Sequence, residues 1–416
     1  TRFIGKKQVR MKLIGLIFTL CLITNFYSAQ NSLNVNVIFQ WDDPTIPAEP
    51  FYNLNYNEVW GVAINDREYA IIGSSVGTHI FDVTDPANST EVEFIPGASG
   101  QVIHRDYHDY QGYLYIVCDE GPGTLQIADL SYLPDSATVV YDSDSLFSRT
   151  HNIFIDSLNG LLYNTNGGVY SLEDPENPIE ISNVNTGSLF DHGHDLYVRN
   201  DTAYWHTGPT GLFVFDYSLD QTNPTMLGSL SLGEYNHSGW LNNEGNIYVF
   251  AEETFNTDVQ ICDVSDFSNI TILSSVNSGG GANSIPHNLI IKDEYLFISY
   301  YHDGLYIFDI SNPNDPLLVG FYDTEPGPSI PYSWHGAWGV YPNLPSGNVL
   351  VSDTRHGLFI LDVSEATNSI SDLSPQHTKS LVKIVDVMGR EINDKPNTLL
   401  IKLYSDGSKQ KVFRTE

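Results

Sequence analysis

The chain has 416 residues, with 19 basic and 51 acidic side chains and a formal net charge of −32. Between residues 30 and 378 the only basic residues are Arg67, Arg105, Arg149, Arg199, Lys292 and Arg355. A surface this acidic repels phosphate backbones, which excludes nucleic acid as a partner and leaves divalent cations, cationic partners or plain solubility in salt.

From the N-terminus, Met11 is the expected start, followed by Lys12, an apolar run over residues 13–23 and the small-residue site Tyr27-Ser28-Ala29-Gln30. This pattern predicts a leader over residues 1–29 that includes a secretory signal peptide, and hence export to the medium or the outer cell surface. No later segment is apolar for long enough to span a bilayer. Beyond the leader only Cys118 and Cys262 remain. Their separation along the chain favours two buried small hydrophobes over a disulfide.

The next feature is a recurring phrase, first seen as Thr78-His79-Ile80-Phe81-Asp82-Val83-Thr84. It returns with its closing residue at Asp129, Ser171 (a degenerate copy), Asp216, Asp263, Asp309 and Asp362, at spacings of 47, 42, 45, 47, 46 and 53 residues. That period is one four-stranded blade, and seven copies predict an all-β, seven-bladed β-propeller over residues 30–366. Each copy reads as a β-branched and aromatic strand running into a turn, where the Asp and the Ser or Thr after it can bond nearby amides. The last copy has no fourth strand after it. The segment Leu33-Asn34-Val35-Asn36-Val37-Ile38-Phe39-Gln40-Trp41 has the character of one, and is expected to complete blade seven so that no sheet edge is left open.

These repeats resemble the LVIVD-repeat propellers known as the "choice-of-anchor B" family of the Bacteroidetes. The resemblance is also carried by Glu58-Val59-Trp60-Gly61, Arg149-Thr150-His151-Asn152, Pro286-His287-Asn288-Leu289 and Gly336-Ala337-Trp338-Gly339. It covers roughly residues 35–365 and implies a propeller exported to the cell surface, but no substrate. After a polar linker over residues 367–380, the tail 381–416 is similar to a type IX secretion sorting signal, with Leu381-Val382-Lys383-Ile384-Val385 opening it and residues 399–408 as a closing hairpin. This resemblance implies the type IX export machinery as a partner. A small β appendage packed on the propeller would explain the same alternation.

Four blades begin their innermost strand with a histidine: His151, His194, His237 and His287. Trp60, Arg105 and Trp338 are taken as the equivalents in the other three. The loops after the second strands emerge on the same face and hold Asp119 and Glu120, Glu252 and Glu253, and Asp353. Imidazoles and carboxylates converging on one funnel are what a transition-metal site requires, with Zn2+ or a similar ion as the occupant. Structural tiling of the channel by repeated histidines explains the same recurrence. Trp60, Arg105, Trp338, Asp119 and Asp353 are therefore expected to contact a ligand at the funnel. Trp60, Trp240, Trp334, Trp338, Tyr300 and Tyr301 are candidates for stacking against a sugar.

Asp-rich turns such as Asp82/Asp85, Asp263/Asp266 and Asp309/Asp315 lack EF-hand spacing, which makes calcium the weaker expectation. The leading expectation is a binding module for a protein, glycan or small molecule. The alternative is a metal-dependent enzyme of hydrolase or lyase type, with Glu120 or Glu253 as general base.

Overall fold

The computed structural model describes residues 32–184, 193–327, 333–373, 381–385, 390, 399–404 and 409–413. The expected leader lies outside these residues, as do half of the linker (374–380) and much of the tail.

Seven antiparallel sheets follow one another along the chain as seven blades. Their innermost strands are Tyr56–Ile64, Arg105–Tyr110, Ile153–Asp156, Asp195–Arg199, Asn236–Leu241, Leu289–Lys292 and Ala337–Tyr341. The recurring phrases are the third strands, from Gly77–Asp82 in blade one to Gly357–Asp362 in blade seven.

The turn chemistry holds in every copy. The side chains of Asp82, Asp129, Asp216, Asp263, Asp309 and Asp362 each accept the backbone N–H two residues on, and Ser171 accepts that of Glu173. A carboxylate oxygen in that place substitutes for the next ladder carbonyl, so the strand stops and the chain turns. Each pairing of third and fourth strands also carries a one-residue register shift. A bulge there raises the local twist that a radial blade needs.

Closure is by the N-terminal strand Asn36–Trp41, which pairs antiparallel with Gly357–Asp362 and repeats the same bulge, between Val37 and Phe39. The chain reaches further than expected, because Ser32 and Leu33 pair with Tyr322 and Phe321 on the outer edge of blade six. Val35 lies in the core between blades six and seven, while Phe39 and Trp41 pack on the core between seven and one. One short segment thus seals two seams.

The hydrophobic cores sit between neighbouring blades. A second strand is therefore covered on both faces and reads as a continuous apolar run rather than an alternating one. Ala70, Ile71 and Ile72 are each completely buried. Removing one such isoleucine side chain costs about 2–5 kcal/mol. Cys118 and Cys262 are buried and free, in blades two and five.

After blade seven the chain forms a helix, Ser364–Leu373, where a linker is expected from residue 367. Ala366 is buried against the blade-six edge, and the Tyr295 hydroxyl donates to the Thr367 carbonyl. Leu381–Val385, Leu399–Tyr404 and Lys409–Phe413 form a three-stranded antiparallel sheet. No helix among the described residues is long and apolar enough to cross a membrane.

Candidate functional site

The innermost strands place side chains on the axis in three steps. In blade four these are His194, Asp195 and Tyr197; in blade five, His237, Ser238 and Trp240; in blade six, His287, Asn288 and Ile290. The first sits at the rim before the strand settles. The second and third lie two residues apart, on the face that alternation turns inward.

The rim forms a ring. His104, His151, His194, His237, His287 and Trp338, from blades two to seven, follow one another at centroid separations of 5.3, 4.2, 4.4, 4.3 and 4.5 Å. His104 and Trp338 close it across blade one at 5.7 Å. The ring floors a cavity of about 280 Å³, also lined by Asp119, Glu253, Tyr52, Leu54, Tyr235, Tyr301 and Trp334. One wall carries the acids. The other is aromatic, and continues into the apolar cluster of Leu54, Ile103, Ile285, Tyr301 and Trp338. The Tyr52 loop is held by the Glu49 carboxylate, which accepts the backbone N–H groups of Phe51 and Tyr52.

The electrostatics of the ring follow from desolvation. Burial, reinforced by the crowding of His287 and His194, holds His237 well below the usual histidine value. Burial drives His287 down to about 3, against the opposing pull of the Trp338 carbonyl. His287 Nδ1 donates to that carbonyl at 2.6 Å, which leaves Nε2 as the lone pair, 3.9 Å from Glu253. Burial likewise pushes the Glu253 carboxyl up to about 7, although the Tyr301 hydroxyl donates to it at 2.6 Å. Imidazoles that resist protonation beside a carboxyl that resists ionisation make a site short of positive charge. A cation would stabilise the carboxylate and use the neutral nitrogens directly.

His194, His237 and Glu253 each offer a ligand atom, all within 4.8 Å of one another. His237 Nε2 lies 3.6 Å from Glu253 Oε2. On the other side of the ring, burial would raise the Asp119 carboxyl, but the His151 hydrogen bond at 2.6 Å and the nearby His104 hold it low.

The cavity thus gathers His151, His194, His237, His287, Trp338, Asp119 and Glu253, with Tyr301 and Trp334 from the stacking candidates. Four expected members lie elsewhere. Trp60 belongs to the opposite mouth of the channel, because the strand of blade one starts early and bulges between Tyr56 and Val59. Its rim residue is Asn57, buried against Gly73. Arg105 is not the rim residue of blade two, because one extra residue separates His104 from Asp106; its guanidinium turns outward to the Ser74 and Ser99 carbonyls. Glu120 is tied to the backbone N–H groups of Ile103 and His104 and does not line the cavity, so it is no free base. Asp353 is completely buried beside Glu325 and His356, away from the funnel. Three more correspondences fail: Glu252 binds Asn236, Tyr300 is buried with its hydroxyl donating to the Val276 carbonyl, and Trp240 packs at the opposite mouth. Sequence reasoning missed His104, Tyr52 and Tyr235. Aligning the blades on the inward-facing pair of residues rather than on the strand start would have found His104.

Beneath the ring lies a polar belt of Glu58, Asp106, Asn152, Asp195 and Asn288. Burial pushes Asp106 up to about 7 and holds Glu58 and Asp195 well above the usual carboxyl range. Gly339 is required beside it, because a Cβ there would fall 2.0 Å from Glu58 Oε1. The far mouth is a second aromatic chain, Tyr341–Trp60–His108–Phe154–Tyr197–Trp240, with centroids 4.8–4.9 Å apart.

Seven radial blades around an axial funnel make the chain a seven-bladed β-propeller. Within it, residues 285–324, which comprise blade six, match the LVIVD repeat, so the protein is a propeller that carries this repeat. No curated protein matches the chain.

Proposed function

We propose that the protein is an exported interaction module, secreted or held on the outer cell surface, whose binding face is the histidine funnel. A divalent transition-metal ion, Zn2+ in the first instance, seated on His194, His237 and Glu253 is the anchor for its ligand. The supporting observation is the convergence of imidazoles from successive blades, with His237 and His287 held neutral by burial, on a carboxyl whose charge burial disfavours. Neutral imidazole and carboxylate at this spacing suit zinc or a similar first-row ion. The aromatic wall of Tyr52, Trp334 and Trp338 would hold the apolar or sugar face of a bound molecule. Export is supported by the leader and by the tail's similarity to a type IX sorting signal, whose machinery would be the first partner.

Calorimetric titration of metal-free protein with Zn2+ tests the site. Saturable binding that weakens roughly 100-fold in His194→Ala/His237→Ala is expected. Titration curves unchanged by that double substitution would refute it. A second reading, a metal-dependent hydrolase or lyase, keeps the ion on the ring imidazoles His151, His194, His237 and His287 and leaves Glu253 free as general base, since a carboxyl near 7 is poised to exchange protons at neutral pH. Turnover of an ester or glycoside library that is lost in Glu253→Gln with the metal still bound would favour it.

A further inference from the structure

Asp353, expected in the funnel, stands in a different constellation. We propose that Glu325, Asp353 and His356 form a second divalent transition-metal site, separate from the funnel, that latches blade six to blade seven where the ring closes. One ligand atom from each lies within 4.8 Å of the other two, and His356 Nε2 is 2.8 Å from Glu325 Oε2.

The observation that points to an ion is the state of Asp353. The residue is completely buried. Its Oδ1 accepts the N–H groups of Arg355 and His356 at 2.9 Å each, while Oδ2 has no hydrogen-bond partner. The neighbouring Thr324 hydroxyl, itself buried, is close enough to favour the charged carboxylate, but the two make no hydrogen bond of normal geometry. A buried carboxylate oxygen with open lone pairs is costly unless something cationic meets it.

The ligands come from segments that the fold holds still. Glu325 leaves the fourth strand of blade six, Leu317–Tyr322, and its N–H donates to Asp323. Asp353 ends the second strand of blade seven and pairs with Ala337 and Gly357. His356 sits in the same hairpin, which Gly357 turns with φ near 78°. A Cβ on Gly357 would fall 2.0 Å from the Trp41 carbonyl, so the hairpin lies directly against the closing strand. Gln40 of that strand donates to the His356 carbonyl at 3.2 Å. An ion here would join blade six, blade seven and the N-terminal closure.

One imidazole and two carboxylates suit Zn2+ or Mn2+ better than Ca2+, which prefers an all-oxygen shell, or Cu+, which prefers sulfur. The His356 hydrogen bond, with His335 and Arg355 behind it, already holds the Glu325 carboxyl low, so an entering ion must displace that bond and its proton, and the site is the weaker of the two.

The test uses the full chain carrying His194→Ala/His237→Ala, which removes funnel ligands. Metal-free protein is titrated calorimetrically with Zn2+, and its unfolding midpoint is followed with and without the ion. About one equivalent is expected to remain and to raise the midpoint. Adding Glu325→Gln and His356→Ala, at partly exposed side chains, should weaken that equivalent at least tenfold and abolish the midpoint shift. Should the funnel variant not fold, the same pair of substitutions in the otherwise native chain is expected to lower the Zn2+ stoichiometry by one. Loss of all binding with the funnel ligands, or residual binding indifferent to Glu325→Gln/His356→Ala, would overturn the latch. Either result would leave zinc in the funnel standing, so the two sites fail separately.

Discussion

The two mouths of the axial channel are built by the same strands, three residues apart, and they differ in almost every chemical respect. At the funnel mouth the repeat position is filled by imidazoles that face a cavity with carboxylates on its wall. At the far mouth it is filled by Trp60, His108, Phe154, Tyr197, Trp240 and Tyr341, which pack on one another, and the space left is about 60 Å³. Position in a repeat sets where a side chain points. The residue type then decides whether the place is a plug or a site. Tiling a mouth therefore does not by itself call for histidine, since the far mouth is tiled mostly by larger rings, with the acids Glu58, Asp106 and Asp195 in the belt behind them.

Substitutions can break this contrast from either end. The largest effect on stability is expected from Trp60→Ala with Trp240→Ala, which empties the plug. Each loss costs about 2–3 kcal/mol of burial, seen as a lower urea midpoint, while Zn2+ affinity of the folded protein stays within about twofold. Substituting the funnel pair His194 and His237 should do the converse, removing the funnel's share of the metal response at smaller cost to folding.

The belt between the mouths offers a pH test. Asp106 holds its proton up to about 7 in the fold but loses it near the ordinary value of 3.8 when unfolded. Its penalty on the folded state is thus absent below pH 4, grows as pH rises, and is complete above 7. Asp106→Asn keeps an acceptor for the Ile153 N–H and removes the charge. It should stabilise the protein at pH 8 by about 1–2 kcal/mol relative to pH 4.5, read from chemical denaturation at both values. An unchanged difference would mean the carboxylate is already compensated.

The smallest effect is expected from Tyr301→Phe, which deletes one hydrogen bond to Glu253. A loss of about 1 kcal/mol in stability is anticipated, by the same measurement.

Much of this architecture was legible because it is written in local chemistry. The seven closing Asp or Ser residues mark seven strand ends, and the apolar segment before blade one could be matched to a missing fourth strand. What escaped depended on one-residue offsets. The insertion of Arg105 after His104 hid a member of the ring, and the bulge ahead of Val59 made Trp60 look like a rim residue. Alternation turns each such offset into a different face or a different depth. Asp353 was placed on the correct face of the propeller, but the hairpin from Asp353 to Gly357 folds its carboxylate into the seam between blades. The helix Ser364–Leu373 escaped for another reason: it is short and polar, and the buried contact known for it, Ala366, carries no periodic signal.

The central claim is that the funnel imidazoles are ligands in waiting. Anomalous diffraction at the zinc edge, from crystals of the full chain grown with Zn2+, tests it most directly. A peak bonded to nitrogens of His194 and His237 and to a Glu253 oxygen, at about 2.0–2.2 Å, is the predicted result. A funnel without a peak at saturating zinc, its ring histidines bonded only to protein, would contradict it.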